Sequence, residues 1–282
     1  MITLRTVADM RAAVSQARRA GASIGLVPTM GAFHDGHLSL MRRARERCDR
    51  VVVSLFVNPA QFNEQADLDQ YPRDERRDAE LAAGAGVDFL FAPPVEQIYP
   101  RGFATTVSIA GVTEILEGAQ RGRGHFDGVA TVVTKLFNIV SPDVAYFGQK
   151  DAQQVAVIRQ LVRDLDMPVR IEACPIVRER DGLAMSSRNV RLSDGERERA
   201  TALHRALAAA KESVAAGERD AAAVKSTAVA ALTSCGVEPE YVELVSVDTM
   251  APVRHIEGQV LALVAARVGA TRLIDNELIG TP

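Results

Sequence analysis

The sequence predicts an α/β protein: an open parallel sheet with helices on both faces, followed by a smaller C-terminal α+β domain. From residue 24 to about 174, apolar runs of strand length alternate with helical segments of ten or more residues. This alternation implies right-handed βαβ units, and therefore parallel strands. After about residue 176 come a polar loop, an Ala-, Glu- and Arg-rich stretch and three strand-like runs. We therefore predict a Rossmann-like domain at 1–176 and a small α+β domain at 177–282.

The elements of the first domain follow from local signals. Thr6 can cap a helix whose apolar positions recur at helical spacing, and Gly21 stands where that helix should stop. A later apolar helix ends before Pro142. The predicted strands are 24–27, 51–57, 87–91, 105–109, 144–147 and 169–174, and the predicted helices include 67–85, 129–140 and 155–165.

The second predicted domain differs from the first in composition and in the order of its elements. Residues 181–189 are polar and loop-like, and they open the domain. Residues 194–234 are consistent with two helices broken near Gly217. The predicted strands are 241–247, 260–267 and 272–278.

Composition excludes several classes of protein. The chain has 282 residues, of which 47% are hydrophobic, enough for two domains and a sizeable core. A net charge of −3 without a basic run argues against nucleic-acid binding. Three widely spaced cysteines fit a reducing compartment and exclude a CxxC site. We see no signal peptide and no membrane-length apolar stretch, so we expect a cytoplasmic protein that does not bind membranes.

The chain is organised around residues 24–40, which read IGLVPTMGAFHDGHLSL. Gly31 lets the backbone pass close to whatever lies above the strand end. His34 and His37 lie three apart in the first turn of the following helix, where N–H groups and the helix dipole favour an anion. The structural alternative is a pair of histidines that only cap the helix. A zinc site would need a third ligand, and no Cys or HExxH partner lies nearby.

Five segments carry a specific resemblance to a known family. They are PTMGAFHDGHLSL (28–40), FVNPAQF (56–62), DLDQYPR (67–73), GHFDGVATVVTKLFNIVSPDVAYFGQKDAQQ (124–154) and DGLAMSSRN (181–189). The residues of these segments and their order along the chain resemble those of the pantothenate synthetases, or pantoate–β-alanine ligases, of the HIGH-type nucleotidylyl transferase superfamily. The resemblance implies an AMP-forming ligase that condenses (R)-pantoate with β-alanine through a pantoyl adenylate, with diphosphate released. It also implies ATP as substrate, Mg²⁺ as cofactor and a homodimer.

The same resemblance implies a nucleotide site drawn from three segments. His34 and His37 would contact the ATP phosphates, with His37 as the proton donor, and Lys150 would neutralise phosphate charge. The structural alternative for Lys150 and Asp151 is an ordinary ion pair on a solvated helix start. The implied catalytic residues are His37, His34, Lys150, Ser186, Ser187 and Arg188. The implied ATP-binding residues are Met30, Gly31, Ala32, Phe33, His34, Asp35, Gly36, His37, Gly148, Gln149, Lys150, Asp151, Val177, Met185, Ser186, Ser187 and Arg188.

The resemblance also implies a pantoate site. Gln61 and Gln154 match the pair of glutamines that grips pantoate, with Asn58 and Phe56 nearby. Neutral amides suit a substrate that carries hydroxyls and a carboxylate that must stay reactive. Either glutamine alone would also suit an ordinary surface position.

Two segments depart from the family pattern. The family's EGxxRPxHF appears as EGAQRGRGHF, one residue longer, so the family arginine is either Arg121 or Arg123. The acidic pair after YPR, which is linked to magnesium, is reduced to Asp78 with Arg77 beside it. Asp78 is therefore the implied metal contact.

Two other functions compete with the ligase. An adenylyltransferase of the phosphopantetheine type shares the HxGH site, but it adenylylates a phosphate. A nucleotide-binding regulator without catalysis would be expected to lose Lys150 or the Ser-Ser-Arg loop, and both are present. The paired glutamines and the FVNPxQF motif favour the ligase.

Overall fold

The computed structural model describes residues 1–63 and 65–280 of the chain. These residues divide into two compact units. The first comprises Met1–Gly148 and Gln153–Pro175, and the second comprises Gln149–Ala152 and the chain from Ile176 onward. Residues 149–152 fall inside the first domain predicted from the sequence. They pack with the second unit because Asn276 bonds to the main chain of Gln149 and Lys150.

A parallel sheet forms the centre of the first unit. Its strands are β1 Ile2–Leu4, β2 Ile24–Thr29, β3 Arg50–Leu55, β4 Phe89–Phe91, β5 Val144–Gly148 and β6 Arg170–Cys174. Among the described residues, these six strands lie in the order β1-β4-β3-β2-β5-β6, and every neighbouring pair is parallel. The predicted parallel α/β architecture is confirmed.

Helices cover both faces of this sheet. They are α1 Val7–Arg19, α2 Asp35–Arg47, α3 Gln65–Asp69, α4 Glu75–Gly84, α5 Val95–Ile98, α6 Glu117–Arg121, α7 Arg123–Val140 and α8 Ala152–Asp164. Alternate strand residues point to opposite faces. Ile24 and Leu26 enter the core shared with α1, α7 and α8, whereas Val27, Val51 and Val53 enter the core shared with α2 and α4.

The topology favours one edge of the sheet for ligand binding. β2 lies between β3 and β5, and the chain proceeds outward from β2 on one side and from β5 on the other. The strand order therefore reverses between β2 and β5. In open parallel sheets, ligands bind at the carboxyl ends of the strands beside such a switch point. Within the first unit, the residues that follow Thr29 are therefore candidates for the site.

Two local predictions for the first unit were incorrect, and one short strand was not predicted. The predicted 67–85 helix is split into α3 and α4, because Pro72 lacks an N–H and restricts the residue before it. The predicted strand at 105–109 is irregular chain, because the N–H of Val107 bonds to Thr131 Oγ1 (2.9 Å) instead of a strand. The three-residue β1 was not predicted, because so short a run carries no periodic signal.

The second unit is an antiparallel sheet backed by helices. Its elements are α9 Asp194–Ala200, α10 Ala202–Ala215, α11 Ala221–Thr233, β7 Pro239–Ser246, β8 Val260–Val268 and β9 Thr271–Ile279. The strands lie in the order β7-β8-β9 and run antiparallel. The break near Gly217 is confirmed. A second break at Thr201 gives three helices where two were predicted, among the residues the structure describes.

Two further features bear on the class of protein. In the described part of the chain, the helices are too short or too polar to cross a membrane. Cys48, Cys174 and Cys235 are free thiols, and the first two are buried. Burial raises the pKa of the Cys174 thiol to about 11, so this sulfur stays protonated near neutral pH.

Candidate active site

The two histidines cap the helix that follows β2. His34 is the N-cap of α2, and its Nδ1 accepts the Gly36 N–H (3.2 Å). The N–H of His34 in turn donates to His37 Nδ1 (3.4 Å), and the two ring centroids lie 4.2 Å apart. Because both Nδ1 atoms accept, each neutral ring carries its proton on Nε2. Both histidines therefore cap the helix, and the same bonds fix the orientation of both imidazoles.

Asp78 holds the turn between β2 and α2. This side chain of α4 is 1% exposed, and its carboxylate accepts the N–H groups of Ala32 and Phe33, both at 2.8 Å. Ala32 adopts a left-handed φ of 53°, which is uncommon for a residue with a Cβ. At Gly31 (φ 90°) a Cβ would lie 2.7 Å from Leu55 Cδ1 and 2.9 Å from Asp78 Oδ2. Glycine is therefore required there by both conformation and space.

This geometry does not fit Asp78 as a magnesium ligand. Both carboxylate oxygens already accept main-chain hydrogen bonds, and the side chain is buried. Within residues 1–63 and 65–280, no group of three or more His, Cys, Asp or Glu side chains is arranged to hold a metal ion. Asp78 is a structural support of the turn, which replaces the metal contact inferred from the sequence.

A cluster of amides lies beside this turn, on the 3₁₀ turn Pro59–Gln61 that follows β3. The Asn58 amide, 1% exposed, donates to Gln61 Oε1 (3.1 Å) and to the carbonyl of Gly128 (3.0 Å). Gln61 Nε2 donates to Met30 Sδ (2.9 Å). The structure therefore brings together Met30 of the predicted nucleotide site and Asn58 and Gln61 of the predicted pantoate site.

Sequence reasoning missed three residues that support this cluster. The Tyr99 hydroxyl donates to Asn58 Oδ1 (2.7 Å), and burial raises the pKa of Tyr99 to about 12, against the opposing effect of that bond. His125 Nδ1 lies 2.9 Å from the Gln61 carbonyl. A Cβ at Gly128 would lie 2.3 Å from the Ala60 carbonyl oxygen, so α7 can approach the turn only with glycine there. His125 and Gly128 belong to a quoted family segment, whereas no sequence signal marks Tyr99.

Phe56 and Gln154 occupy different environments. Phe56 is 5% exposed and belongs to the apolar core, with its ring centroid 6.2 Å from that of Tyr99. Gln154 lies half-buried in the first turn of α8. Its buried neighbour Gln153 donates to the carbonyls of Val112 (2.7 Å) and Ile115 (2.8 Å), so it supports the loop before α6.

The structure distinguishes the two candidate arginines. Gly122, with a φ of 77°, separates α6 from α7. Arg121 pairs with Glu117 (3.3 Å), and its carbonyl accepts the side-chain amide of Asn63, two residues beyond Gln61. Arg123 pairs with Glu114 (3.2 Å) and is more exposed. Arg121 is therefore tied to the turn that carries Gln61.

In the second unit, Lys150 lies on a short turn held by β9. The chain leaves β5 at Gly148 and forms the 3₁₀ turn Gln149–Asp151. Lys150 Nζ lies 3.7 Å from Asp151 Oδ1, so the predicted Lys-Asp pair is present. The Asn276 side chain donates to the carbonyls of Gln149 (2.9 Å) and Lys150 (3.0 Å), and its oxygen accepts from Gln149 Nε2 (3.3 Å).

The Ser-Ser-Arg segment follows a small hairpin of the same unit. The N–H of Met185 donates to the Val177 carbonyl (3.0 Å), which closes the hairpin. Ser186 Oγ then accepts the Arg188 N–H (3.3 Å), so Ser186, Ser187 and Arg188 form one compact turn. Val177, Met185 and this turn therefore lie together in the second unit.

Comparison with known proteins gives one family. The family model described as pantoate-beta-alanine ligase matches residues 2–278. The chain is 55% identical over 273 residues to the pantothenate synthetase of Cereibacter sphaeroides, covering 97% of this chain and 98% of that protein. It is 53% identical over 280 residues to that of Moorella thermoacetica, covering 99% of both.

Solved structures agree with this result. The crystal structure of pantothenate synthetase from Thermus thermophilus matches with a TM-score of 0.93 at 46% identity, covering 98% of this chain and 99% of that one. The pantoate-beta-alanine ligase of Francisella tularensis, complexed with beta-gamma ATP and beta-alanine, matches with a TM-score of 0.81 at 34% identity. That match covers 99% of this chain and 97% of the other. The chain belongs to the pantoate–β-alanine ligase family.

Proposed function

We propose that this protein condenses (R)-pantoate with β-alanine at the expense of ATP, giving pantothenate, AMP and diphosphate. The observation that carries the proposal lies in the first unit: Gln61, bonded to Asn58, contacts Met30, and the chain leads from Met30 into the histidine-capped helix. A neutral amide site for a hydroxy acid thus adjoins a helix start suited to phosphate. An ATP- and β-alanine-bound relative of the same fold supports the choice of substrates.

The first step needs positioning more than proton transfer. A pantoate carboxylate oxygen attacks the α-phosphorus of ATP, the bond to the bridging oxygen breaks, and diphosphate leaves with that electron pair. The attacking carboxylate needs no general base, so the site must orient it and stabilise the developing charge. Gln61 and Gln154 would hold pantoate. His34 and His37 would donate from Nε2 to phosphate oxygens, because their Nδ1 atoms accept main-chain bonds.

Residues of the second unit would stabilise the leaving group. Lys150 supplies a fixed cation, and Ser186, Ser187 and Arg188 supply hydroxyls and a forked cation for diphosphate. Asp151 would accept from the ribose, and the main chain at Val177 would meet the adenine. Magnesium, which normally binds ATP through phosphate oxygens and water, would add charge neutralisation when present. Asp78 contributes the shape of the turn instead.

The second step forms the amide. The β-alanine amine attacks the carbonyl carbon of the adenylate, the C–O bond to phosphate breaks, and AMP leaves while the nitrogen loses a proton. Arg121 is the better candidate for the family arginine, because its main chain is tied to the turn of Gln61 through Asn63. We also propose that the enzyme works in the cytoplasm as a homodimer. The three free thiols support a reducing compartment, and light scattering would test the dimer.

Isotope exchange tests the function. Labelled diphosphate should enter ATP when pantoate and Mg²⁺ are present and β-alanine is absent, and Lys150→Ala should abolish this exchange. Lys225→Ala, which removes a lysine paired with Glu243 (2.8 Å) elsewhere in the same unit, is the matched control and should exchange normally. Adding β-alanine should release AMP and pantothenate in equal amounts. Diphosphate release without AMP would indicate the phosphopantetheine-type adenylyltransferase, and exchange without pantoate would indicate an adenylylated enzyme.

A further inference from the structure

The C-terminal strand β9 contacts two segments that the proposed function assigns to phosphate handling. Asp275 and Asn276 are adjacent on this strand and are 3% and 1% exposed. Neither belongs to a segment that resembles the family's nucleotide motifs. Their side chains nevertheless bond to the Lys150 turn and to the hairpin that precedes the Ser-Ser-Arg turn. We refer to these two residues as the β9 clamp.

Asn276 uses its whole side-chain amide on the Lys150 turn. Its nitrogen bonds to two successive carbonyls, those of Gln149 and Lys150, and its oxygen accepts from the Gln149 side chain. An amide is the side-chain group that supplies two donors and an acceptor at one place. The bonds reach the main chain of Lys150, so they fix where its side chain begins without using the ammonium group.

Asp275 fixes the hairpin in the same way. Arg178, in the first strand of the hairpin, donates to both Asp275 oxygens (2.6 and 3.1 Å). The same guanidinium donates to the carbonyls of Gly182 (3.2 Å) and Asn276 (3.4 Å). Two parallel bonds to a carboxylate set orientation as well as distance. One strand therefore sets the positions of both the Lys150 turn and the hairpin.

We propose that Asn276 is a positioning residue for the adenylation step, acting through the main chain of Lys150, and that Asp275 does the same for the hairpin through Arg178. This inference rests on the proposed function, because it assigns the clamp a task in that reaction. Misplacement of a catalytic group by about 1 Å can reduce a rate about 10²-fold. The clamp should therefore matter for turnover although neither side chain is assigned a substrate contact.

Two substitutions at Asn276 separate loss of the donors from other effects. Asn276→Asp keeps the shape but removes both donors, and Asn276→Ala removes them without adding charge. Ile279→Val, on the same strand and equally buried at 1% exposure, is the control for loss of packing. In the full-length protein, both Asn276 variants should lower kcat for diphosphate–ATP exchange about 10- to 100-fold. Their KM for pantoate should stay within about twofold of the wild-type value, because Gln61 and Asn58 are untouched.

A measurement that needs no activity tests the same contact. Hydrogen exchange of the ligand-free protein should be faster in both Asn276 variants across a peptide spanning 148–156, and unchanged there in Ile279→Val. Wild-type kcat in the two variants, or unaltered exchange protection of that peptide, would overturn the proposal. If the wild-type protein failed to exchange diphosphate into ATP, the proposed function would fall, and hydrogen exchange would still decide whether Asn276 holds the turn.

Discussion

At the scale of single residues, the site depends on side chains that bond to main chain. His34 and His37 cap α2 reciprocally, and Asp78 holds the N–H groups of Ala32 and Phe33. Each of these groups therefore supports the local structure, and the two histidines also have a proposed role in catalysis. A substitution of either histidine removes both roles at once, so it must be compared with a control that loses only the structural role.

His37→Ala should reduce turnover about 10²-fold or more, because a donor to the developing charge is lost. It should also cost about 1 kcal/mol of stability, because a capping interaction is lost. Thr6→Ala removes the N-cap of α1 (Thr6 Oγ1 to Asp9 N, 3.1 Å), with a similar cost in stability. Steady-state kinetics and urea unfolding should show equal destabilisation in the two variants and loss of turnover only in His37→Ala. Near-wild-type turnover of a folded His37→Ala protein would contradict the role.

The substitution Asp78→Asn distinguishes a structural role of Asp78 in the turn from a role in binding Mg²⁺. Each Asp78 oxygen accepts one main-chain N–H, and asparagine replaces one of these oxygens by an NH₂ group that cannot accept. A buried donor left unsatisfied costs about 1–3 kcal/mol. We expect lower stability and a reduced kcat, with the Mg²⁺ concentration for half-maximal activity unchanged. Titration of activity with Mg²⁺ in the wild type and the variant makes the comparison. A requirement for much more Mg²⁺ in Asp78→Asn would restore the metal contact inferred from the sequence.

Tyr99 makes the stability of the folded protein depend on pH. Its pKa of about 12 in the folded protein lies above the ordinary tyrosine value of 10.0, mainly because burial disfavours the phenolate. The folded state therefore binds this proton more tightly, so the associated stability is complete below pH 10 and is lost as the pH rises toward 12. The difference between phenolate absorbance titrations of wild type and Tyr99→Phe should show a midpoint near 12. A midpoint at the ordinary value would mean that the hydroxyl is not held in the Asn58 cluster.

At the scale of elements, side-chain bonds within its own unit brace the 177–185 hairpin. The Glu179 carboxylate accepts a hydrogen bond from Asn189 Nδ2 (2.7 Å), and Arg197 forms ion pairs with both Glu179 and Asp181. The described bonds of the Ser-Ser-Arg turn include short-range main-chain ones, such as Arg188 N to Ser186 Oγ. Its hydroxyls and guanidinium are the groups that the proposed function assigns to diphosphate.

Hydrogen exchange with and without ATP should therefore differ mainly at residues 186–188. We expect ATP to slow exchange there and to leave the braced hairpin and α11 unchanged, with α11 as the internal control. Ordering of this turn would also keep water from an adenylate that hydrolyses. The same protection of 186–188 in both states would contradict the expectation.

At the scale of the whole molecule, each unit has its own apolar core, and the second contains a buried ion pair at β9. Burial raises the pKa of the Asp275 carboxyl, and the Arg178 guanidinium opposes this shift through hydrogen bonds and charge. Such a pair contributes little net stability compared with apolar residues of similar size. Breaking it from one side is costly, because the remaining charge is buried alone.

Asp275→Ala should accordingly destabilise the second unit by about 3 kcal/mol. The double variant Asp275→Leu/Arg178→Met should recover most of this loss, because no uncompensated charge remains. Urea unfolding, monitored by hydrogen exchange of peptides from β7 to β9, measures the loss of stability in Asp275→Ala and its recovery in the double variant. A double variant no more stable than Asp275→Ala would show that the bonds of the pair, rather than its charge balance, support the fold.

The sequence by itself determined the elements whose signals are local. The Thr6 cap, the glycine after α1, the periodic α7 and the HxGH helix start each depend on residues within one or two turns, so they could be read in order along the chain. Strand–helix alternation then implied the parallel sheet. The quoted segments indicated the family, and with it the residues to examine in each unit.

Only the tertiary structure decided what holds those residues in place. Asp78 bonds to a main-chain group 46 residues away, and Asn276 bonds to one 126 residues away. Neither pairing leaves a periodic or motif signal, because the geometry that makes it arises only when the chain returns to the same place. The same reason explains the assignment of residues 149–152 to the second unit and the role of Asp78. A carboxylate in a sequence shows a charge, and its neighbours in the fold decide whether it meets an ion or a peptide N–H.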